Sequence, residues 1–153
     1  MAPVIAPVRR SIEVPLPPAQ AFDLFTAGIA DWWPYATHFS RGPVKTLVFE
    51  ARMGGKLKEV CTDGVVETYG EVLAWEPPRR VLIKWMVAQH RVAPTEVEVR
   101  FTATREGCRL DLEHRGFESA DTRDSYAGGW PGVLELFARR AGMRRPPPTF
   151  PPS

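Results

Sequence analysis

His114 is the side chain in this sequence best suited to moving a proton. It stands in phase with Cys108, Leu110 and Leu112, so in an extended strand it points to the apolar side. Its near-neutral reference pKa suits a ligand-orienting group or a general acid/base. The simpler reading is a buried histidine satisfied by a neighbouring backbone group or hydroxyl, since buried polar atoms need partners in any case. Cys108 shares the phase, but the strand between them puts it roughly 20 Å from His114, too far to form a nucleophile pair. Cys61 has no local partner, there is no GxSxG, and no glycine-rich phosphate loop occurs. The three histidines, His38, His90 and His114, lack ligand spacing, so neither metal nor cofactor is expected.

Carboxylates form a second candidate set. In a regular strand Glu59 shares a face with Leu57 and Cys61, while Glu67, Tyr69 and Glu71 share one with Leu73 and Trp75. An inward carboxylate needs a cation or donor, and Arg52 across the Gly54-Gly55 turn could pair with Glu59. Such a group, with Tyr69, would form a polar end for a cavity. A bulge would instead place these groups in solvent, because a one-residue slip inverts the list.

Aromatic residues are the third set: Trp32, Trp33, Phe39, Trp85, Phe117 and Trp130. They fit the lining of a largely apolar ligand cavity, or ordinary core. A short helix cannot bury adjacent tryptophans on one face, so Trp32 or Trp33 should roof the cavity or sit exposed at its mouth.

These residues need elements to position them. Residues 9–14 read as a strand closed by Pro15-Leu16-Pro17-Pro18, and 19–27 as a helix with a proline start. A second short helix spans 29–33, followed by a loop over 34–43. Strands follow at 44–52, 56–61, 65–75, 79–87, 96–104 and 108–115, with turns at Gly54-Gly55, Asp63-Gly64, Pro77-Pro78 and Glu106-Gly107. Within 96–104, Val97, Val99, Phe101 and Ala103 alternate with Glu98, Arg100 and Thr102, as an antiparallel sheet with one wet face requires. Ser119 or Asp121 can cap a last helix whose stripe is Tyr126, Trp130, Val133, Leu134, Phe137 and Ala141. Pro131 should kink or restart it. From Gly142 the chain reads as an extended proline-rich tail. The long helix is the element able to cover a twisted sheet's apolar face, leaving a cavity at the open end roofed by the short helices.

Length and composition agree. With 153 residues, 44% hydrophobic and 25% charged, the chain predicts one soluble domain over 8–141 between an arm (1–7) and a tail (142–153). The net charge, 20 − 18 = +2, is too mild to point to nucleic acid, and no apolar run approaches a membrane span. Residues 1–7 lack a basic region and a long apolar core, so they do not read as a signal peptide, and reduced cysteines and a cytoplasmic setting are expected. An edge strand at 44–52 could pair two copies into a homodimer.

The order strand, two short helices, six-stranded meander and long helix resembles the α+β helix-grip fold of the START-like (SRPBCC) superfamily. Within it the chain resembles the branch related to the activator of heat-shock protein 90 ATPase. Over about 8–141 the likeness rests on Asp31-Trp32-Trp33, Gly54-Gly55 with Lys56 and Glu59, and Gly70-Glu71-Val72. It continues in Trp75-Glu76-Pro77-Pro78-Arg79-Arg80, Trp85, the run Leu110 to Phe117, and Gly129-Trp130 leading into Leu134. It implies about seven curved antiparallel strands wrapped on the last helix. Three functions follow from it as expectations: binding of a small, largely hydrophobic molecule, cyclase, dehydratase or hydrolase chemistry on small aromatic or polyketide-like compounds, or assistance to a chaperone. The ligand-binding residues would be Trp32, Trp33, Phe39, Glu59, Tyr69, Trp85, His114, Phe117 and Trp130, with His114 the candidate catalyst.

Overall fold

The computed structural model describes residues 5–33, 44–86 and 93–144. Phe39, His38, His90, the 34–43 loop and the tail from residue 145 lie outside them.

Seven strands form one antiparallel sheet: β1 (Val8–Val14), β2 (Val44–Phe49), β3 (Lys56–Cys61), β4 (Val66–Glu76), β5 (Arg80–Trp85), β6 (Thr95–Ala103) and β7 (Cys108–Arg115). Their order is β1-β7-β6-β5-β4-β3-β2, so β2 to β7 make a meander and β1 returns to pair with β7. Between β1 and β2 lie helix α1 (Pro18–Phe25) and a 3-10 turn (Ile29–Asp31), and helix α2 (Ala120–Arg144) closes the fold.

Alternation decides which face is inside. Along β6, Thr95, Val97, Val99 and Phe101 are buried against the helices, joined by Leu110, Leu112 and His114 of β7. The opposite face carries an ion ladder. Glu98 accepts from Arg80, from Arg100 Nη2 at 3.2 Å and from Arg115 Nη1 at 3.2 Å. Arg115 also reaches Glu113 at 2.7 Å, and Arg9 reaches Glu113 from β1 at 2.8 Å. Burial pulls the Glu98 carboxyl up, but the hydrogen bonds from Arg80 and Arg115 and the charge of Arg100 outweigh it and hold the group below its ordinary value.

Strand β4 departs from the regular alternation expected of it. Leu57 faces Gly70 and Lys58 faces Thr68, so Tyr69 is an extra residue; likewise Val72 faces Ile83 and Ala74 faces Leu82, so Leu73 is extra. These two bulges break the single face predicted for Glu67, Tyr69, Glu71, Leu73 and Trp75. Tyr69 and Val72 are buried, whereas Glu71 turns outward and pairs with Lys56 at 3.1 Å. Glu59 is inside, at 1% exposure, so the solvent-facing alternative fails for it. The predicted Arg52–Glu59 pair is replaced by Arg52–Glu50 at 3.7 Å, because β2 ends at Phe49 and Arg52 stands out in the turn.

Helix α1 starts on prolines and buries Ala21, Phe22, Leu24 and Phe25. Ser119 caps α2, accepting from Thr122 N at 3.1 Å. The helix then runs unbroken through Pro131, so no fresh start occurs there, and Gly142 to Arg144, read above as extended tail, are helical. Proline lacks the N–H that would bond Ala127. That carbonyl instead accepts Arg10 Nη2 from β1 at 3.1 Å. Trp130, Leu134, Phe137 and Ala141 form the buried stripe.

Gly70 sits at the first bulge with no room for a side chain: an added Cβ would lie 2.7 Å from Ile83 Cγ2 and 3.0 Å from the Lys84 carbonyl oxygen. Gly70→Ala should destabilise the fold by about 2 kcal/mol through overpacking. Urea unfolding followed by circular dichroism measures it; an unchanged midpoint would contradict this packing.

Candidate functional site

The interior holds two aromatic groups. One lies under α1: Phe22 meets Trp75 at 4.9 Å and Phe101 at 5.3 Å between ring centroids, and Phe25 meets Phe137 at 5.4 Å. Trp32 belongs here, 5.0 Å from Phe137, with its indole N–H donated to the Leu24 carbonyl at 2.8 Å. The other group lies where β5, β7 and the first half of α2 converge: Trp33, Trp85, His114, Phe117, Tyr126 and Trp130. Trp32 and Trp33, 5.8 Å apart, join the two. Both are buried, at 5% and 7% exposure, so neither stands open at a mouth as expected. They follow the 3-10 turn rather than lie on a helix, and so are not confined to one helical face.

His114 is the centre of the second group and is 0% exposed. Its Nδ1 accepts the Trp130 indole N–H at 3.0 Å, which leaves the ring proton on Nε2, 2.6 Å from Thr95 Oγ1. Its ring lies 4.4 Å from Tyr126 and 4.6 Å from Phe117. Burial pushes its pKa down to about 3, so the imidazole is neutral at physiological pH. Nearby, Trp85 Nε1 donates to the Tyr126 hydroxyl at 3.1 Å, and burial raises that phenol above its ordinary value despite the opposing bond. With both nitrogens engaged, His114 holds Trp130 and Thr95 in place. It has no lone pair spare for a substrate proton unless one of those bonds opens.

The structure thus brings together Trp33, Trp85, His114, Phe117 and Trp130 of the expected set. Trp32 packs in the neighbouring group, Phe39 is outside the described residues, and Glu59 and Tyr69 are buried on β3 and β4, Glu59 two strands away from β5. Sequence reasoning missed Thr95 and Tyr126 as polar members. The alternation Val97, Val99, Phe101 extends back to Thr95, and Tyr126 precedes Trp130 by one helical turn, so both signals were present. Cys61 and Cys108 are unpaired by any disulfide and buried, and burial raises the Cys108 thiol to about 11, away from nucleophilic reactivity. Among the described residues no group of three His, Cys, Asp or Glu is placed to hold a metal. None of their helices is long and apolar enough to cross a membrane.

A curved seven-stranded sheet gripping a long C-terminal helix is the helix-grip architecture of the START-like superfamily. Residues 15–142 match the family of Activator of Hsp90 ATPase homolog 1-like proteins, and the chain belongs to that family. Its fold is shared by a protein from Mesorhizobium loti, with 21% identity over 88% of this chain and 95% of that one and a TM-score of 0.67. An AHSA1-like protein from Aeromonas hydrophila shares it too, with 18% identity over 88% and 90% and a TM-score of 0.64. The anthrahydroquino-gamma-pyrone synthase Txn09 is 30% identical over 91% of this chain and 99% of its own, with a TM-score of 0.61. No curated protein matches the sequence at a significant level.

The depressed His114 pKa fixes the sign of one pH effect. The unfolded chain takes up a proton near pH 6.5 that the folded protein refuses until about pH 3. Stability is therefore full above pH 6.5 and falls as pH drops toward 3. Between pH 6.5 and 5, above the main carboxylate titrations, wild type should lose on the order of 2 kcal/mol that His114→Gln does not lose. Chemical unfolding at stepped pH reads the difference, and parallel profiles would refute a buried neutral imidazole.

Proposed function

We propose that this protein binds a small, flat, largely apolar molecule against the Trp33–Trp85–Trp130–Phe117 surface, between the concave sheet face and α2. The observation that carries this reading is the clustering of large rings around a neutral histidine. The polar atoms of His114, Trp85 and Trp130 are satisfied within the cluster, which leaves an apolar wall with few fixed dipoles, the usual make-up of a small-molecule site. Indole and phenyl faces favour planar ligands through offset and edge contacts. In the same proposal Glu59 and Tyr69 form the polar end of the site, and Phe39 joins the ligand-binding set.

A second reading, ring closure of a polyketide-like precursor, is supported by the 30% identity to a pyrone synthase over nearly all of that enzyme. Here the aromatic wall would act by holding a flexible substrate folded, so that its reacting atoms meet. His114 would contribute by fixing Trp130 rather than by carrying the proton. A chaperone-assisting role has the family's description as its support. Its measure is chaperone ATP hydrolysis with and without the protein.

The binding reading is tested with Nile red. A saturable, single-site rise in fluorescence should be displaced by polycyclic aromatics, and Trp85→Leu should weaken it about tenfold. Absence of saturable binding by wild type would sink the proposal.

A further inference from the structure

Four tryptophans of this protein are buried, and three have their indole N–H accounted for. Trp32 donates to the Leu24 carbonyl, Trp85 to the Tyr126 hydroxyl and Trp130 to His114 Nδ1. Trp33 is the exception: it is 7% exposed, yet its Nε1 has no acceptor among the described residues. A buried donor left unmet is rare in native folds and unfavourable to folding. Its position makes the exception informative. The Trp33 ring lies 6.1 Å from Trp85 and 6.5 Å from Trp130, in the group whose other N–H donors are already used. The Tyr126 hydroxyl, in the same group, accepts the Trp85 N–H at 3.1 Å.

We infer that Trp33 Nε1 receives an acceptor oxygen of the ligand, and that the ligand is a planar aromatic ketone or quinone rather than a bare hydrocarbon or an acid. An N–H demands an acceptor, which a hydrocarbon lacks. A carboxylate or phosphate would need a compensating cation, whereas the rings that Trp33 meets among the described residues, Trp32, Trp85 and Trp130, are neutral. A carbonyl oxygen matches a neutral donor and leaves the ring faces to the tryptophans. This inference rests on the binding reading above and adds the chemical class.

The test compares 9-fluorenone with fluorene, which share a shape and differ by the carbonyl. Each is titrated into wild type and Trp33→Phe by fluorescence or calorimetry. Wild type should bind fluorenone about tenfold more tightly than fluorene. Trp33→Phe should lose that preference, binding fluorenone and fluorene with affinities within about twofold of each other. The carbonyl stretch of fluorenone bound to wild type should move to lower frequency, a measurement that decides the question even if Trp33→Phe does not fold. Equal affinities in wild type, an unshifted carbonyl, or equal weakening of both probes by Trp33→Phe would overturn the role of Trp33 while ligand binding stands. Failure of wild type to bind either probe would overturn both.

Discussion

The Thr95–His114–Trp130 chain of hydrogen bonds is the interaction on which the interior depends. It joins β6, β7 and α2 through one imidazole that is wholly buried and neutral. Each bond taken alone contributes only about 1 kcal/mol, but losing one partner leaves another polar atom unmet in a low-dielectric setting, which is the larger effect. The chain also sets orientation. Trp130 can present its ring to Trp33 and Trp85 because its N–H is held at the other side by His114. A proton-transfer residue by type has become a positioning residue by environment.

The two faces of the sheet solve opposite electrostatic problems. On the convex face Glu98 is enclosed by three guanidinium groups, and the carboxylate stays charged because donors surround it. On the concave face the imidazole is enclosed by rings, and it stays neutral because nothing there would stabilise its charge. The strands that carry both sets are the same, β6 and β7, so neighbouring residues such as Glu113 and His114 sit in opposite environments one peptide apart. On β6 and β7 this partition keeps charge off the face that carries His114.

Much of this was legible in the sequence. Alternation in β6 and β7 identified the inward residues, and the stripe from Tyr126 to Ala141 identified the buried side of α2. The order of elements carried the resemblance to the helix-grip fold. Strand β4 resisted, because bulges arise from cross-strand fit rather than from local pattern. Neither Tyr69 nor Leu73 announces itself as an extra residue, and Glu71 was misplaced as a result. Trp32 and Trp33 resisted for a related reason: they follow a single 3-10 turn, whose brevity leaves no helical period to read. Hydrogen-bond partners were least legible of all. That His114 meets Thr95 and Trp130, and that Trp33 meets nothing comparable, depends on long-range geometry that spacing does not encode.

Pro131 has a consequence that reaches beyond the helix containing it. By withholding one N–H it exposes the carbonyl of Ala127, which Arg10 of the edge strand takes. A ridge of apolar side chains can slide along a curved surface at little energetic penalty, since one contact replaces another. A guanidinium seated on a mid-helix carbonyl that Pro131 leaves without its N–H cannot, because moving one step would give up that bond. The residue expected to break α2 thus works as an indexing pin. It fixes how far along the sheet the helix sits, and with it the height of Trp130 against Trp85 and Trp33.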